Sequence, residues 1–295
     1  MAAEPAAVTG GLLRGWPLPA PGIDKNTRGR VLIVGGSAQT PGAVALAAEA
    51  ALRTGAGKVQ VATVASVATS LAVALPETLV RGLRQTSAGE IDPGCAEPLL
   101  QMAQDCSALL IGPGLMDVEA AAALTGSLVP RLSCPIVLDA LALAWVGDDA
   151  SLHGGHRAAR EMVLTPNPAE LALTLDWPEP DVRADGAKAA LELATRREAT
   201  VAYGGEVSYV AEPGGQVWRD DTGTQGLAVA GSGDVKAGIV AGLLARGAPP
   251  AQAAVWAAYV HGRAGERLAA AVGGSGFLAR ELPAQVPRVL AELAG

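Results

Sequence analysis

The chain has 295 residues, half of them apolar (50%) and only 3% aromatic, with 22 Lys and Arg against 29 Asp and Glu for a formal net charge of −7. An acidic balance without any Lys/Arg cluster argues against a nucleic-acid-binding face, and no uninterrupted apolar run approaches the roughly 18 residues of a membrane span. Phe277 is the sole Phe, so the core must be built from Ala, Val and Leu, which suits helices packed closely on a sheet. Cys95, Cys106 and Cys134 are scattered without ligand spacing; they read as reduced thiols of a cytoplasmic protein rather than as a zinc site or a nucleophile. The first residues carry Glu4 and show neither a basic region nor an apolar targeting core.

Residues 1–28, rich in Pro and Gly, read as an irregular lead-in. Arg30–Val34 (RVLIV) is a β-branched apolar run closed by Gly35-Gly36-Ser37, the pattern of a buried strand entering a turn. Residues 41–54 are Ala-rich, with Pro41 at the start and Gly55 beyond the end, which predicts a helix. Residues 58–63 supply the strand that completes a βαβ unit. The pattern repeats through a helix over 97–106, a strand at Ala108–Ile111 ending in Gly112-Pro113-Gly114, a helix over 117–126 and a strand over 135–139 that ends in Asp139. A short strand over 163–166, a helix over 187–197 and a strand over 200–203 follow. Segments 206–211 and 216–219 flank Glu212-Pro213-Gly214-Gly215, a hairpin signature, and helices are expected over 234–246, 250–271 and 284–293. This alternation predicts an α/β fold with a mainly parallel sheet and helices on both faces, the late antiparallel hairpin lying at an edge. No polar linker or internal repeat divides the chain, so residues 1–295 read as one domain.

In open α/β sheets ligands bind on the loops at the carboxyl ends of the strands. The loops Gly35-Gly36-Ser37 and Gly112-Pro113-Gly114 qualify, although a tight turn would explain each equally well. Gly231-Ser232-Gly233-Asp234 is the stronger candidate, because it opens a helix in which Gly238 and Gly242 lie one turn apart. Helix N-termini present free amides and partial positive charge, and glycines let a phosphate come close. Gly231, Ser232 and Gly233 are therefore expected to form an anion hole, with Asp234 as either the helix N-cap or a general base beside it. Neither the P-loop nor the nicotinamide fingerprint is present, nor is a G-x-S-x-G elbow. His153 and His156 share a Gly-rich loop and read as solvated rather than metal-binding, and His261 reads as a packed or capping histidine. Glu170 falls at a predicted helix start, with a metal or phosphate role as the alternative.

With these segments in order, the chain resembles the ADP- or ATP-dependent NAD(P)H-hydrate dehydratases of the ribokinase-like superfamily, over roughly residues 20–293. The resemblance rests on residues 29–37 (GRVLIVGGS), Pro41-Gly42-Ala43, residues 53–57 (RTGAG), Pro76-Glu77, residues 111–115 (IGPGL) and 137–140 (VLDA). It continues through residues 231–235 (GSGDV), Ala237-Gly238-Ile239 and residues 261–265 (HGRAG). It implies a three-layer α/β/α fold and a repair lyase that phosphorylates the hydroxyl of hydrated NADH or NADPH and then eliminates phosphate. By motif position, Asp234 would be the base, and Ala43, Gly114, Asn167 and Asp234 would line the hydrate site. Tyr203, Gly204, Gly205, Glu206, Val207 and Gly233 would contact the adenine nucleotide. Mg²⁺ would accompany ADP or ATP with no residue assigned as a metal ligand, and the chain would form a homo-oligomer. This sequence departs from the pattern at Leu141, Asn167, Tyr203, Thr224-Gln225 and Ala230, where the family usually has Asp, His, Lys, Asn-Pro and Gly. A small-molecule kinase of the same superfamily and a catalytically weak nucleotide-binding paralogue are the alternative readings.

Overall fold

The structure, a computed structural model, describes residues 4–147 and 161–293. Its strands are β1 Ala6–Ala7, β2 Arg30–Val34, β3 Lys58–Val64, β4 Thr78–Leu83, β5 Ala108–Ile111, β6 Ile136–Leu138, β7 Met162–Leu164, β8 Thr200–Gly204, β9 Ser208–Ala211 and β10 Val217–Asp220. The α-helices are α1 Gly10–Gly15, α2 Gly42–Arg53, α3 Ala65–Ala74, α4 Ala96–Ala103, α5 Val118–Leu128 and α6 Ala144–Gly147 in the first half. The second half holds α7 Pro168–Leu175, α8 Glu179–Ala184, α9 Gly186–Arg197, α10 Ser232–Ala245, α11 Pro250–Val272 and α12 Val286–Leu293.

All ten strands join one sheet in the order β1-β10-β9-β8-β7-β6-β5-β2-β3-β4. Only β9 runs against its neighbours. Both faces are buried, which is why the strands read as continuous apolar runs. In β2, Val31 and Ile33 enter one core with α2, α10, α11 and α12, whereas Leu32 and Val34 enter the other with α4, α5, α7 and α9. The three-layer α/β/α architecture follows from that alternation. No helix among the described residues is long and apolar enough to cross a membrane.

Helix α10 is buried on every side from Val235 to Ala245. Its glycines explain how it fits: a Cβ on Gly238 would stand 2.3 Å from the Ala47 carbonyl oxygen, and one on Gly242 2.9 Å from that of Ala51. The helix therefore lies almost backbone to backbone against α2, and its N-terminus is set by that contact.

Several expectations change. The lead-in is not wholly irregular, because Thr9 caps α1 by accepting from the Leu12 amide. Strand β1 pairs in parallel with β10, and Trp16 stacks on Trp218 with ring centroids 5.7 Å apart. The hairpin thus lies one strand in from the edge, with β1 covering it. Helix α3 and strand β4 have no counterpart in the sequence reading: α3 is apolar without a side-chain cap, and β4 is a largely exposed edge strand interrupted by Gly82. The three cysteines are free and buried, and burial pushes the Cys106 thiol up to about 12, far from a nucleophile's range. His153 and His156 lie outside the described residues.

Candidate active site

The strand order reverses between β2 and β5, the point where open α/β sheets leave a crevice. The loops after these two strands are the Gly35-Gly36-Ser37 and Gly112-Pro113-Gly114 turns, and they are tied together. The Gly36 amide donates to the Pro113 carbonyl at 2.7 Å, and Thr40 Oγ1 donates to the Gly114 carbonyl at 2.7 Å. A Cβ on Gly114 would come within 2.9 Å of the Ala43 methyl, so Ala43 and Gly114 share one wall of the crevice. A Cβ on Gly231 would meet Leu46 Cδ1 at 2.5 Å, which brings the Gly231 loop against the same helix α2.

Gly231 is the N-cap of α10, at φ 92, a left-handed conformation that glycine adopts without strain. Asp234 is therefore the third residue of the helix and makes no capping bond, which corrects the N-cap alternative. The anion hole is also arranged differently from expectation. The Ser232 amide is committed to the Val229 carbonyl at 3.1 Å. Among the described residues no acceptor pairs with the amides of Gly233 and Asp234, so these are the open donors of the first turn. Gly233 is exposed, and a Cβ there would meet nothing within 4 Å. Ser232 is buried, and its hydroxyl shares a 3.0 Å hydrogen bond with His261 Nε2 in the middle of α11. Burial, followed by the Lys236 ammonium, pushes the His261 imidazolium down to about 3, so this ring is neutral at physiological pH. It packs and holds the loop, as its position in the sequence suggested.

Four carboxylates gather at these strand ends. Asp139, 5% exposed, follows β6 and accepts from Thr165 Oγ1 at 2.7 Å. Ala140 after it sits at φ 49, a strained conformation for a residue with a Cβ. Burial pushes Asp139 up, opposed by the Thr165 hydroxyl and by Lys236. Glu170 forms a capping box with Asn167 at the start of α7. The Glu170 amide donates to Asn167 Oδ1 at 2.9 Å and the Asn167 amide to Glu170 Oε2 at 2.9 Å. The Asn167 carbonyl is thereby used, and its NH₂ group is what remains for a ligand. Burial first and Asp139 second push Glu170 up to about 7. Asp234 is likewise pushed up to about 7 by burial, then by Asp139 and Glu170. A half-buried carboxyl tuned to that value is a competent proton acceptor at neutral pH.

The nucleotide side is less regular. The Tyr203 ring is buried and stacks on Tyr209 with centroids 6.3 Å apart, inside the core on the far side of the sheet from α10. Its hydroxyl lies against Gly205, 2.6 Å from where a Cβ on that residue would stand. Gly204, Gly205 and Val207 are half-buried and Glu206 is exposed, as the chain turns from β8 into β9. Sequence reasoning missed two charged residues here. Asp220, 2% exposed, ends β10 and accepts from Thr222 Oγ1 at 2.9 Å; burial pushes it up to about 6. Lys236, 7% exposed, donates to the Ala202 carbonyl at 2.9 Å. A lone lysine inside an otherwise apolar, glycine-marked helix was the available signal.

A crevice at the strand-order reversal, closed by a glycine-initiated helix with an aspartate in its first turn, sits on a three-layer α/β/α fold of the ribokinase-like type. The fold matches a ribokinase-like superfamily protein from Enterococcus faecalis at TM-score 0.80 and 21% identity, covering 98% of this chain and 96% of that one. The chain belongs to the NAD(P)H-hydrate dehydratase family, whose model matches residues 31–288. It is similar to the ADP-dependent (S)-NAD(P)H-hydrate dehydratase of Xanthomonas campestris pv. campestris, with 46% identity over 97% of this chain and 96% of that protein. It is also similar to the ADP/ATP-dependent NAD(P)H-hydrate dehydratase of Bacillus subtilis, co-crystallised with ATP and Mg²⁺. There the TM-score is 0.84 at 27% identity, over 99% of this chain and all of that one.

Proposed function

We propose that this chain, acting as one domain, dehydrates (S)-NAD(P)H hydrate with ADP or ATP as phosphoryl donor, and that Asp234 is its base. The observation that carries the reading is the Asp234 carboxyl, pushed up to about 7 in the same helical turn as the open amides of Gly233 and Asp234. The hydrate would lie in the crevice walled by Ala43 and Gly114, with the Asn167 NH₂ group at its rim. The donor's phosphates would lie between the first turn of α10 and Gly204, with the rest of the nucleotide toward Gly205, Glu206 and Val207. Mg²⁺ enters as part of the nucleotide substrate.

The chemistry follows from these positions. Asp234 takes the hydroxyl proton as the hydroxyl oxygen bonds to the terminal phosphorus, and the bond from phosphorus to the bridging oxygen breaks with its electron pair leaving on the nucleotide. The open amides hold the charge of the transferring group. Phosphate is a far better leaving group than hydroxide. It departs with the C–O bonding pair, and loss of a proton from the neighbouring ring carbon restores the double bond. We propose a homo-oligomer, a reading supported by the apolar side chains at the open edge of the sheet, where Val73 on α3 and Leu79 on β4 stand 78% and 54% exposed. Three free thiols fit a cytoplasmic location.

Incubating the protein with hydrated NADH, Mg²⁺ and ADP or ATP tests the reading through recovery of dihydronicotinamide absorbance with stoichiometric phosphate. Phosphorylated hydrate accumulating without that recovery would convert the reading to a kinase. Neither product would reduce it to a nucleotide-binding protein.

A further inference from the structure

Lys236 is a buried ammonium whose position needs explaining. Part of the explanation is structural. In the parallel register of β7 and β8, Leu164 lies opposite Val201, and the Gly204 amide donates to the Pro166 carbonyl at 3.0 Å. The reciprocal bond would run from the amide at position 166 to the Ala202 carbonyl, but proline has no amide hydrogen. Lys236 Nζ takes that place at 2.9 Å. A buried carbonyl needs a donor, yet a neutral side chain would do, and burying an ammonium is costly unless charge compensates it.

The compensation lies around it. Asp139 from the end of β6, Asp220 from the end of β10 and Glu170 from α7 each favour the charged lysine, against the burial that brings it down to about 8. His261 on α11 also faces it, as a neutral ring. Lys236 is the one cation among the described residues that acts on Asp139, Glu170 and Asp220 together, while Asp234 adds a fourth carboxylate to the same cluster. A nucleotide diphosphate or triphosphate brought to four carboxylates would be repelled unless a cation offset them. The ammonium also points the right way: a Cβ on Gly204 would stand 2.9 Å from Nζ. The charge therefore lies directly against the bare backbone at the end of β8.

We propose that Lys236 is a nucleotide-binding residue of this site, an ammonium held from below by Ala202 that receives the phosphates of the donor nucleotide over Gly204. One of its three N–H bonds is used on Ala202, which leaves the others for phosphate oxygens. The proposal deepens the dehydratase reading and rests on its nucleotide, but not on its chemistry.

The test is therefore binding as well as turnover. Calorimetric titration of the intact protein with ADP and Mg²⁺, without hydrate, should show Lys236→Met weakening affinity by about 10- to 100-fold, with Lys236→Arg recovering most of it. In the coupled assay the loss should fall on KM for the nucleotide, with kcat and KM for the hydrate within a few-fold. Gly204→Ala is the second variant: its methyl displaces Nζ, the mobile end of a long side chain, so the protein folds with its lysine out of place and should lose affinity in the same direction. A folded Lys236→Met protein with unchanged ADP affinity overturns the proposal, because a purely structural lysine would change the melting temperature alone. If Lys236→Met does not fold, unchanged affinity in Gly204→Ala overturns it instead. A wild-type protein that binds no ADP refutes it as well. Lysine-dependent ADP binding without hydrate turnover would sink the dehydratase reading and leave the lysine assignment standing.

Discussion

Ser232 and His261 join the first turn of α10 to the middle of α11 through a 3.0 Å hydrogen bond between Oγ and Nε2. Ser232 is buried and its amide is already committed to Val229, so this bond decides how firmly the glycine loop is held. His261→Leu should leave the serine hydroxyl unpaired, at about 1–3 kcal/mol, and lower kcat/KM about tenfold. Ser232→Ala should also cost stability, because it leaves His261 Nε2 without its partner. The double variant should behave much like His261→Leu with part of its loss restored, a coupling that a double-mutant cycle measures directly. Simple additivity of the two effects would show that the bond does not hold the loop.

Asp234 is the residue on which the proposed reaction turns. Asp234→Asn removes the proton acceptor while keeping size and helix position, so kcat should fall by about 10²- to 10⁴-fold with ADP affinity retained. In the wild type, activity should decline below about pH 7, where Asp234 becomes protonated. An Asn variant keeping more than a tenth of wild-type kcat would take the base role away from this residue.

Much of this was legible beforehand, for identifiable reasons. The loops after β2 and β5 are punctuated by glycines where a strand ends, and the Gly231-Ser232-Gly233-Asp234 element opens a helix whose later glycines, Gly238 and Gly242, mark close contact with α2. Periodicity and turn chemistry record such local facts. What escaped was set by distant partners. Lys236 meets Ala202 from 34 residues away in sequence, and only because Pro166 cannot. Asp220 becomes part of the site because β10 ends beside β9, where the carboxylate faces Lys236. No local pattern carries such pairings.

Glu170 offers a way to move the Asp234 titration without touching Asp234. The two carboxyls repel each other, and Glu170 is among the groups that hold Asp234 up, after burial and Asp139. Glu170→Gln removes that charge. Gln also suits the capping box at the third helical position, so the start of α7 should stay intact. The acid limb of the kcat profile should then shift to lower pH. A limb that stays in place would show that Glu170 and Asp234 do not share one electrostatic site.

The same carboxylates should make the free protein less stable at neutral pH than in mild acid. Asp234 and Glu170 rise to about 7 from ordinary values of 3.8 and 4.5, and Asp220 to about 6 from 3.8. In each case the folded state holds the proton more tightly than the unfolded chain does. The stability they contribute is complete below their ordinary values and is lost as pH rises through the raised ones. Asp24, Asp92 and Glu97 are shifted the other way, downward by hydrogen bonds and ion partners, and their contribution is lost only in stronger acid. The melting temperature of the ligand-free protein should therefore fall from pH 5 to pH 7.5. Asp234→Asn and Glu170→Gln should each flatten that fall and melt above the wild type at pH 7.5. A wild-type melting temperature that is level or rising between those two pH values would show that these carboxyls are not strained by their site.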